Sequence, residues 1–390
     1  MSEPRVPLPS SSDEQFVGGN RVRLLRDGRE AFPCMLEAIG DAQQQILLEM
    51  YWFTGRIAER FTDALARAAE RDVDVVVLYD ALGSMGGDGH VFARLAQSGA
   101  RVIEYNPIAP WKRRFRLGTL TRRDHRKMLV VDGLVGFAGG INIGDPWLAV
   151  EEGGLGFRDD MVRVEGPAVS GMVDCLVRAW RKQNGAAIKR VGWARRSVAE
   201  GIAAHEPGSQ RVRVLGAHFF RTRHEIARAY KRHVEHATRS VYISNPYFLP
   251  DPSVMRTLCR AAERGVDVRV LLPGQSDVRV VDYASRAVWP RLLAAGVRIY
   301  EWQKTVLHAK SAVVDGRWST VGTFNFDALS LRSNLEVNVT VFDADFGARL
   351  EAFFLQDFAE SREVDGATFQ ERSWRARWLE HSAYRLRKIL

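Results

Sequence analysis

Runs of apolar residues alternate along the chain with amphipathic stretches, and this order predicts strands that alternate with helices. The segment Arg21–Leu25 alternates apolar and polar positions, as a half-buried strand does. Two apolar runs at Ile46–Phe53 and Val73–Asp80 predict buried strands. The helical stretches of this half are residues 33–45, 56–71 and 90–98, and a further strand is predicted at Arg101–Tyr105. The order is typical of βαβ units and predicts a mostly parallel or mixed sheet.

The same order recurs in the second half of the chain. Arg67–Val75 matches Arg260–Val268 at eight of nine positions, and Arg94–Tyr105 aligns with Arg291–Trp302. A repeat with a period near 190 residues is far too long for a solenoid, so we predict two similar α/β domains packed as a pseudo-two-fold pair. The predicted boundaries are a disordered leader at 1–20, the first domain at 21–188, a linker at 189–211, the second domain at 212–366 and a C-terminal tail at 367–390.

One nine-residue phrase occurs once in each predicted domain. It reads His, any residue, Lys, four residues, Asp, Gly, and it begins at His125 and at His308. A short run containing small residues then leads to Asn142 in the first half and to Asn325 in the second. The phrase reads as a strand that ends in a turn, so its His and Lys side chains point to one face. The pseudo-two-fold brings both pairs to the domain interface, where we expect the active site.

Two imidazoles and two ammonium groups in one pocket suit the transfer of a phosphoryl group. A neutral imidazole can attack phosphorus, and the opposite imidazolium can protonate the leaving oxygen. Lysine and asparagine side chains can hold the non-bridging oxygens. The phrases give a catalytic set of His125, Lys127, Asp132, His308, Lys310 and Asp315, with Asn142 and Asn325 as substrate-binding residues. Because Asp132 and Asp315 lie at the predicted turns, we expect them to cap these turns or pair structurally rather than take part in the chemistry.

Composition narrows the functional class. The net charge of +9 and the pI near 9.7 favour an anionic partner, either nucleic acid or an acidic membrane, although an arginine-rich genome would give the same balance. Three scattered cysteines argue against disulfides and zinc, and no carboxylate cluster indicates a metal, so no metal or cofactor is expected. No apolar run approaches the roughly 20 residues that span a bilayer, and the N-terminus lacks the apolar core of a signal peptide.

Two stretches combine aromatic and basic residues. The first half has 14 extra residues before its phrase, within Asn106–Leu120, and this insertion contains Trp111–Leu117. Its composition fits a segment at a membrane interface, and a solvated loop is the alternative. The tail has the pattern of a basic amphipathic helix, which either lies at an interface or docks on the core. Its apolar and basic residues are Trp374, Trp378, Leu379, Leu386, Ile389 and Leu390, and Arg375, Arg377, Arg385, Arg387 and Lys388.

The two phrases resemble those of the phospholipase D superfamily. Further stretches are similar to bacterial cardiolipin synthases of the soluble, non-membrane-spanning kind, and the similarity runs from about residue 20 to the C-terminus. These stretches are Tyr79–Ser84, Gly139–Ile143, Phe157–Asp159, Val162–Val169, Tyr247–Asp251 and Asn334–Asn338. The resemblance implies two phospholipase D-like domains and a two-step, ping-pong transfer of a phosphatidyl group.

The resemblance also implies residue roles. It makes His125 the nucleophile and His308 the acid and base, which the residues alone leave open. It places a carboxylate behind each imidazole, at Asp159 and Glu336, to fix the tautomer. Phe157 departs from the residue that synthases commonly carry before Arg-Asp. Some members have a membrane-spanning N-terminus and this sequence shows none, so we expect peripheral contact with the cytoplasmic face of the cell membrane.

Three functions compete on this pattern. The first is transfer of a phosphatidyl group to the hydroxyl of phosphatidylglycerol or a related lipid alcohol. The second is hydrolysis of phospholipids to phosphatidic acid, with water as the acceptor. The third is a nuclease, for which the basic charge would serve nucleic acid. The duplication, the insertion and the tail favour lipid over nucleic acid, so the expected partner is an anionic phospholipid membrane containing phosphatidylglycerol, with no obligatory protein partner.

Overall fold

The computed structural model describes residues 15–87, 89–112, 114–193, 207–217, 222, 224–276 and 278–387. Most of the predicted leader, residues 194–206 of the predicted linker, residue 113 of the insertion and residues 388–390 of the tail lie outside this part of the chain. The described ends of the leader and linker belong to the fold. Strand β1 begins at Val17, and Trp193 is buried with its amide bonded to Gly133 O at 3.1 Å.

The first half alternates strands and helices as its pattern predicts. Its elements are β1 (Val17–Arg26), α1 (Asp27–Asp41), β2 (Gln45–Met50), α2 (Gly55–Glu70), β3 (Asp74–Asp80), α3 (His90–Gln97), β4 (Arg101–Tyr105), β5 (Lys127–Val131), β6 (Val135–Gly139), β7 (Asp160–Glu165) and α4 (Val169–Lys182). The helix predicted at 33–45 begins at Asp27 and ends at Asp41, with Pro33 inside it. Proline favours the first turn of a helix, which is why the sequence indicated a later start.

The second half repeats these elements and adds to them. Its elements are β8 (Gln210–Ala217), α5 (Glu225–Glu235), β9 (Ser240–Ser244), α6 (Pro252–Glu263), β10 (Asp267–Pro273), α7 (Arg279–Arg286), α8 (Trp289–Ala294), β11 (Arg298–Trp302), β12 (Ser311–Val314), β13 (Trp318–Gly322), α9 (Ala328–Arg332), β14 (Glu336–Phe342), α10 (Ala344–Ala359), β15 (Ser361–Glu363), α11 (Gly366–Gln370) and α12 (Trp374–Arg385). Strands β9 to β14 repeat the order and pairing of β2 to β7, which confirms the duplication. None of the helices described is both long enough and apolar enough to cross a bilayer.

The strands form one mixed sheet of 15 strands in the order β15-β11-β10-β9-β12-β13-β14-β8-β1-β7-β6-β5-β2-β3-β4. Parallel pairing is confined to β2–β3–β4 and β9–β10–β11, the parts built from βαβ units. The other neighbours are antiparallel, and two of these pairs, β5–β6 and β12–β13, are hairpins closed by the tight turn after each phrase. The sequence predicted a sheet that is either mostly parallel or mixed, and the sheet is mixed.

The two halves stack on each other and share a core. Strands β13 and β14 contact β6 and β7, and one apolar cluster draws residues from both halves, among them Val130, Val164, Val313 and Val339. Each half also has an outer cluster beneath its own helices. The seam between the halves is therefore part of the hydrophobic core, and the two repeated phrases meet along it.

Candidate active site

The backbone of each half holds the histidine of the other. The amide of His125 donates to Leu335 O at 3.0 Å, and the amide of His308 donates to Arg158 O at 2.8 Å. In return, the amide of Leu335 donates to Arg123 O, and the amide of Arg158 donates to Val306 O, both at 2.9 Å. Two isolated parallel bridges of the same form thus join the phrases across the pseudo-two-fold.

The carboxylate behind each imidazole belongs to the residue that follows this backbone partner: Glu336 follows Leu335, and Asp159 follows Arg158. The Glu336 carboxylate oxygens lie 3.1 and 3.2 Å from His125 Nδ1, and Asp159 Oδ2 lies 2.7 Å from His308 Nδ1. Both carboxylates are buried. A carboxylate at Nδ1 keeps the proton on that nitrogen and leaves Nε2 as the nucleophilic or basic atom. The structure therefore places Asp159 and Glu336 behind the imidazoles, as the resemblance implied, and shows that each serves the histidine of the opposite half.

Three further side chains hold these carboxylates, and none was identified from the sequence. Trp147 Nε1 donates to Asp159 Oδ2 at 2.8 Å. Ser330 Oγ donates to Glu336 Oε1 at 2.7 Å, and Thr323 Oγ1 donates to Glu336 Oε2 at 2.5 Å. Trp147 and Ser330 are 183 residues apart, the spacing of the two phrases, so they occupy equivalent places with unlike chemistry. A search for repeated residues gives no signal for such a pair.

Both phrase lysines are buried and point along their own strand toward the site. Lys127 Nζ donates to His125 O at 2.7 Å, and Lys310 Nζ donates to His308 O. Burial, and after it the charge of Lys310, hold the pKa of Lys127 well below its usual range. The charges of Lys127 and Lys310 repel each other, and an anion bound between the two ammonium groups would stabilise both. The arrangement is suited to a bound phosphate group.

The electrostatics of the site favour neutral imidazoles in the free protein. Burial lowers the pKa of His125, and the Lys127 charge lowers it further. Burial and then the Lys310 charge lower the pKa of His308 in the same way. Burial raises the pKa of Asp159 and of Glu336, but the facing histidine and lysine outweigh it and leave both carboxyls ionised with a lowered pKa.

The two asparagines lie at the site with different partners. Asn142 Oδ1 accepts from Trp52 N at 3.2 Å, which leaves its Nδ2 as a donor. The Asn325 backbone amide donates to Ser330 Oγ at 3.3 Å, while Asn325 Oδ1 is buried without a partner among the described residues. Both side chains are buried. Their role as donors to a substrate oxygen stays a prediction.

Asp132 and Asp315 are turn residues. The Asp132 carboxylate accepts from the amides of residues 43, 44 and 45 at 2.7–2.9 Å. The Asp315 carboxylate accepts from the amides of residues 238, 239 and 240 at 2.8–3.2 Å. Their φ angles are +51° and +52°, and each lies at the end of its strand remote from the histidine. Both aspartates thus hold the turn position that the sequence predicts for them: they fasten the strand that carries the lysine, and their lack of a part in the chemistry stays a prediction.

Tyr51 is a further residue of the site that the sequence did not reveal. Its ring packs edge-on against His125 with centroids 5.0 Å apart, and Lys127 Nζ lies 4.8 Å from the ring centre. Ser84 Oγ donates to Tyr51 O at 3.1 Å, and a side chain at Gly83 would collide with that carbonyl. The loop after β3 therefore supports Tyr51. Pro246 occupies the equivalent place after β9, so this contact exists on one side only.

Comparisons with known proteins agree on one family. The family described as "Cardiolipin synthase, PLD-like domain" matches residues 35–151 and 230–358. A cardiolipin synthase of Geobacillus sp. (strain WCH70) is 32% identical over 370 residues, which are 95% of this chain and 72% of that protein. Cardiolipin synthase 2 of Bacillus cereus is 34% identical over 368 residues, which are 94% of this chain and 70% of that protein.

Solved structures share the fold. The phosphatidylserine synthase of Haemophilus influenzae Rd KW20 superimposes with a TM-score of 0.71 at 15% identity and covers 95% of both chains. A polyphosphate kinase from Porphyromonas gingivalis gives a TM-score of 0.56 at 14% identity, over 86% of this chain and 50% of that one. These likenesses show the fold alone, and the matched family model and the relatives show that the chain belongs to the cardiolipin synthase, phospholipase D-like family.

Proposed function

We propose that this protein is a cardiolipin synthase-type phosphatidyltransferase that uses phosphatidylglycerol, or a related lipid alcohol, as acceptor. The observation that carries the proposal is the crossed site itself: two imidazoles, each held at Nδ1 by a buried carboxylate of the opposite half, with two buried lysines beside them. The relatives named cardiolipin synthase support the lipid substrate.

The first step is transfer of the phosphatidyl group to the protein. His125 Nε2 attacks phosphorus, and the bond from phosphorus to the leaving glycerol oxygen breaks. His308, as imidazolium, gives its proton to that oxygen, so free glycerol departs and a phosphohistidine remains. A bound phosphodiester anion raises the pKa of the nearby imidazoles, which makes the protonated form of His308 accessible. Lys127, Lys310, Asn142 and Asn325 hold the non-bridging oxygens.

The second step returns the group to a lipid. Neutral His308 takes the proton of an acceptor hydroxyl as that oxygen attacks phosphorus, and His125 leaves. With a second phosphatidylglycerol as acceptor, two phosphatidylglycerols give one cardiolipin and one glycerol. The proposal needs no metal, because lysine and histidine supply the charge and the nucleophile.

Burial of the site favours transfer over hydrolysis. His125 and His308 are each less than a tenth exposed, and Lys127 and Lys310 are fully buried. A phosphohistidine in a buried site is shielded from bulk water, so a bound lipid hydroxyl reacts in its place. Hydrolysis to phosphatidic acid is the competing function, and the product mixture distinguishes the two.

The test is a product assay with defined lipids. Purified protein is incubated with phosphatidylglycerol vesicles, with and without EDTA, and the lipids and released glycerol are measured. Cardiolipin and glycerol in equal amounts, unaffected by EDTA, are expected. Phosphatidic acid as the sole product would replace the synthase with a hydrolase. The matched control is His125→Ala, for which we expect neither product.

A further inference from the structure

Three tryptophans lie on the surface, against the usual preference of this side chain. Of the ten tryptophans, Trp111, Trp374 and Trp378 are 85%, 68% and 64% exposed, and the other seven are buried or partly buried. One belongs to the insertion of the first half and two belong to α12 of the second half. Within the part of the chain that the structure describes, the contacts of both segments with the fold leave these three rings exposed to solvent, and exposed apolar side chains of this size often mark an interaction surface.

The insertion is a loop fastened at its base. Asn106 Nδ2 donates to Arg122 O at 2.7 Å, so the two ends of the loop are tied together. Arg123 NH2 donates to Asn106 O at 2.9 Å and to Thr119 O at 3.0 Å. Trp111 and Leu117, at 75% exposure, project beyond this base. The loop presents apolar side chains from a fixed support.

Helix α12 is docked on the fold by one of its faces. Ala383 packs with Val281 and Ala284 of α7, and buried Glu380 pairs with Arg372 at 2.9 Å. The opposite face carries Trp374 and Trp378, one turn apart. The described part of the tail therefore docks on the fold, as one of the two alternatives has it, and it presents an aromatic face to solvent.

Both segments lie at the end of their half-sheet that carries the histidine. The insertion leaves the carboxyl end of β4, and His125 precedes β5 at the carboxyl end of β2. Helix α7, on which α12 rests, follows the carboxyl end of β10, and His308 precedes β12 at the carboxyl end of β9. Because the histidines meet in one site, the two aromatic segments lie at the same end of the two half-sheets as that site.

The charge around the tryptophans is positive. Arg116 is exposed on the insertion, and Arg375, Arg377 and Arg385 are exposed on α12. Lys112 is already paired with Glu104 at 2.6 Å and adds little. Exposed tryptophan beside arginine is the composition of a segment that rests at the boundary between headgroups and acyl chains of an anionic bilayer.

We infer that the insertion and α12 together form one docking rim for an anionic lipid bilayer, with the mouth of the active site between them. The inference rests on the proposed function and deepens it, since a lipid substrate would then reach the crossed histidines without leaving the bilayer. The insertion and α12 each expose little apolar area. Because both belong to one rigid body, they would bind a bilayer together far more tightly than either segment alone.

The test compares matched substitutions in the full chain. Leu117→Glu alters the insertion, and Leu134→Glu makes the same change at a 40% exposed leucine in the turn after β5, at the opposite end of the sheet. Binding to phosphatidylglycerol–phosphatidylcholine vesicles is measured by cosedimentation. We expect Leu117→Glu and the double variant Trp374→Glu/Trp378→Glu to weaken binding by about tenfold or more, and Leu134→Glu to leave it unchanged. Equal binding by all variants would overturn the docking rim.

A second measurement separates this inference from the proposed chemistry. Turnover of a short-chain phosphatidylglycerol below its micelle concentration does not require a bilayer, so the rim variants should retain it at the wild-type rate. Loss of vesicle binding with intact short-chain turnover supports the rim. Rim variants that lose both, while remaining folded by circular dichroism, would place these residues in the site and contradict the inference. A wild-type protein that binds vesicles but makes no product refutes the proposed function and leaves the rim standing.

Discussion

At the scale of single residues, the two histidines share a design but differ in their surroundings. His308 faces one carboxylate oxygen at 2.7 Å, backed by the indole of Trp147, whereas His125 lies 3.1 and 3.2 Å from the two oxygens of Glu336, backed by two hydroxyls. An amide in place of either carboxylate can present its nitrogen to Nδ1 and favour the wrong tautomer. We expect Asp159→Asn and Glu336→Gln each to lower kcat by about 10²–10⁴-fold, as measured by single-turnover transfer. A folded variant with kcat near wild type would remove that carboxylate from the mechanism.

The pH dependence of the reaction follows from the lowered pKa of His125. The nucleophile must be neutral, and its pKa lies below the ordinary value of about 6.5. The midpoint at which kcat/KM declines on the acid side should therefore lie below pH 6.5. Lys127→Met removes a charge that lowers this pKa, and the limb should move to higher pH even as the rate drops. Lys127→Arg keeps the charge and should leave the limb in place. A limb that stays fixed in Lys127→Met would contradict the assignment.

At the scale of the elements, the phrase strands depend on the aspartates that end them. The Asp132 carboxylate satisfies three backbone amides, which would be left without a partner in Asp132→Ala. We expect a loss of about 2 kcal/mol in the free energy of unfolding, measured by chemical denaturation, with kcat per folded molecule largely kept. His125→Ala should show the reverse, with stability kept and kcat lost. A stable but inactive Asp132→Ala would return this residue to the chemistry.

The elements also show how far the sequence could lead. Apolar runs and helical periodicity located the strands β2 to β4 and their helices, and the duplicated phrase located both histidines and both lysines. Tyr51, Trp147, Thr323 and Ser330 were not found, because their repeats hold unlike residues and their contacts depend on packing across the seam. Patterns of period 2 or 3.6 report which face of an element is buried, but not which distant element covers it.

At the scale of the whole molecule, the crossing of the two halves is the feature that makes one site from two repeats. Each histidine takes its backbone partner and its carboxylate from the opposite half, so neither half holds a complete pair alone. The shared core beneath the seam fixes this crossing. The duplication predicted that the phrases meet, but only the paired strands show that Asp159 serves His308 and Glu336 serves His125.

A buried ion-pair network ties the seam beside His308 and gives a test of this dependence. Asp357 of α10 lies 2.8 Å from Arg158 NH2 and 2.5 Å from Arg26 NH2, and both Arg158 and Asp357 are buried. Asp357→Ala removes one partner from each arginine, while Arg158 keeps its pair with Asp160 at 2.6 Å, so we expect a loss of about 1.5–3 kcal/mol in the free energy of unfolding. Because Arg158 O holds the amide of His308, kcat should fall as well.

The control for Asp357→Ala lies one turn further along the chain. Glu360 pairs with Lys304 at 2.9 Å where both side chains are partly exposed, and Glu360→Ala should cost only about 0–1 kcal/mol and leave kcat unchanged. Chemical denaturation followed by both tryptophan fluorescence and circular dichroism measures the two variants. With a shared core, the two signals should follow one transition in the wild type and in each variant. Equal small losses in both variants, or separate transitions for the two halves, would contradict the dependence of the site on the seam.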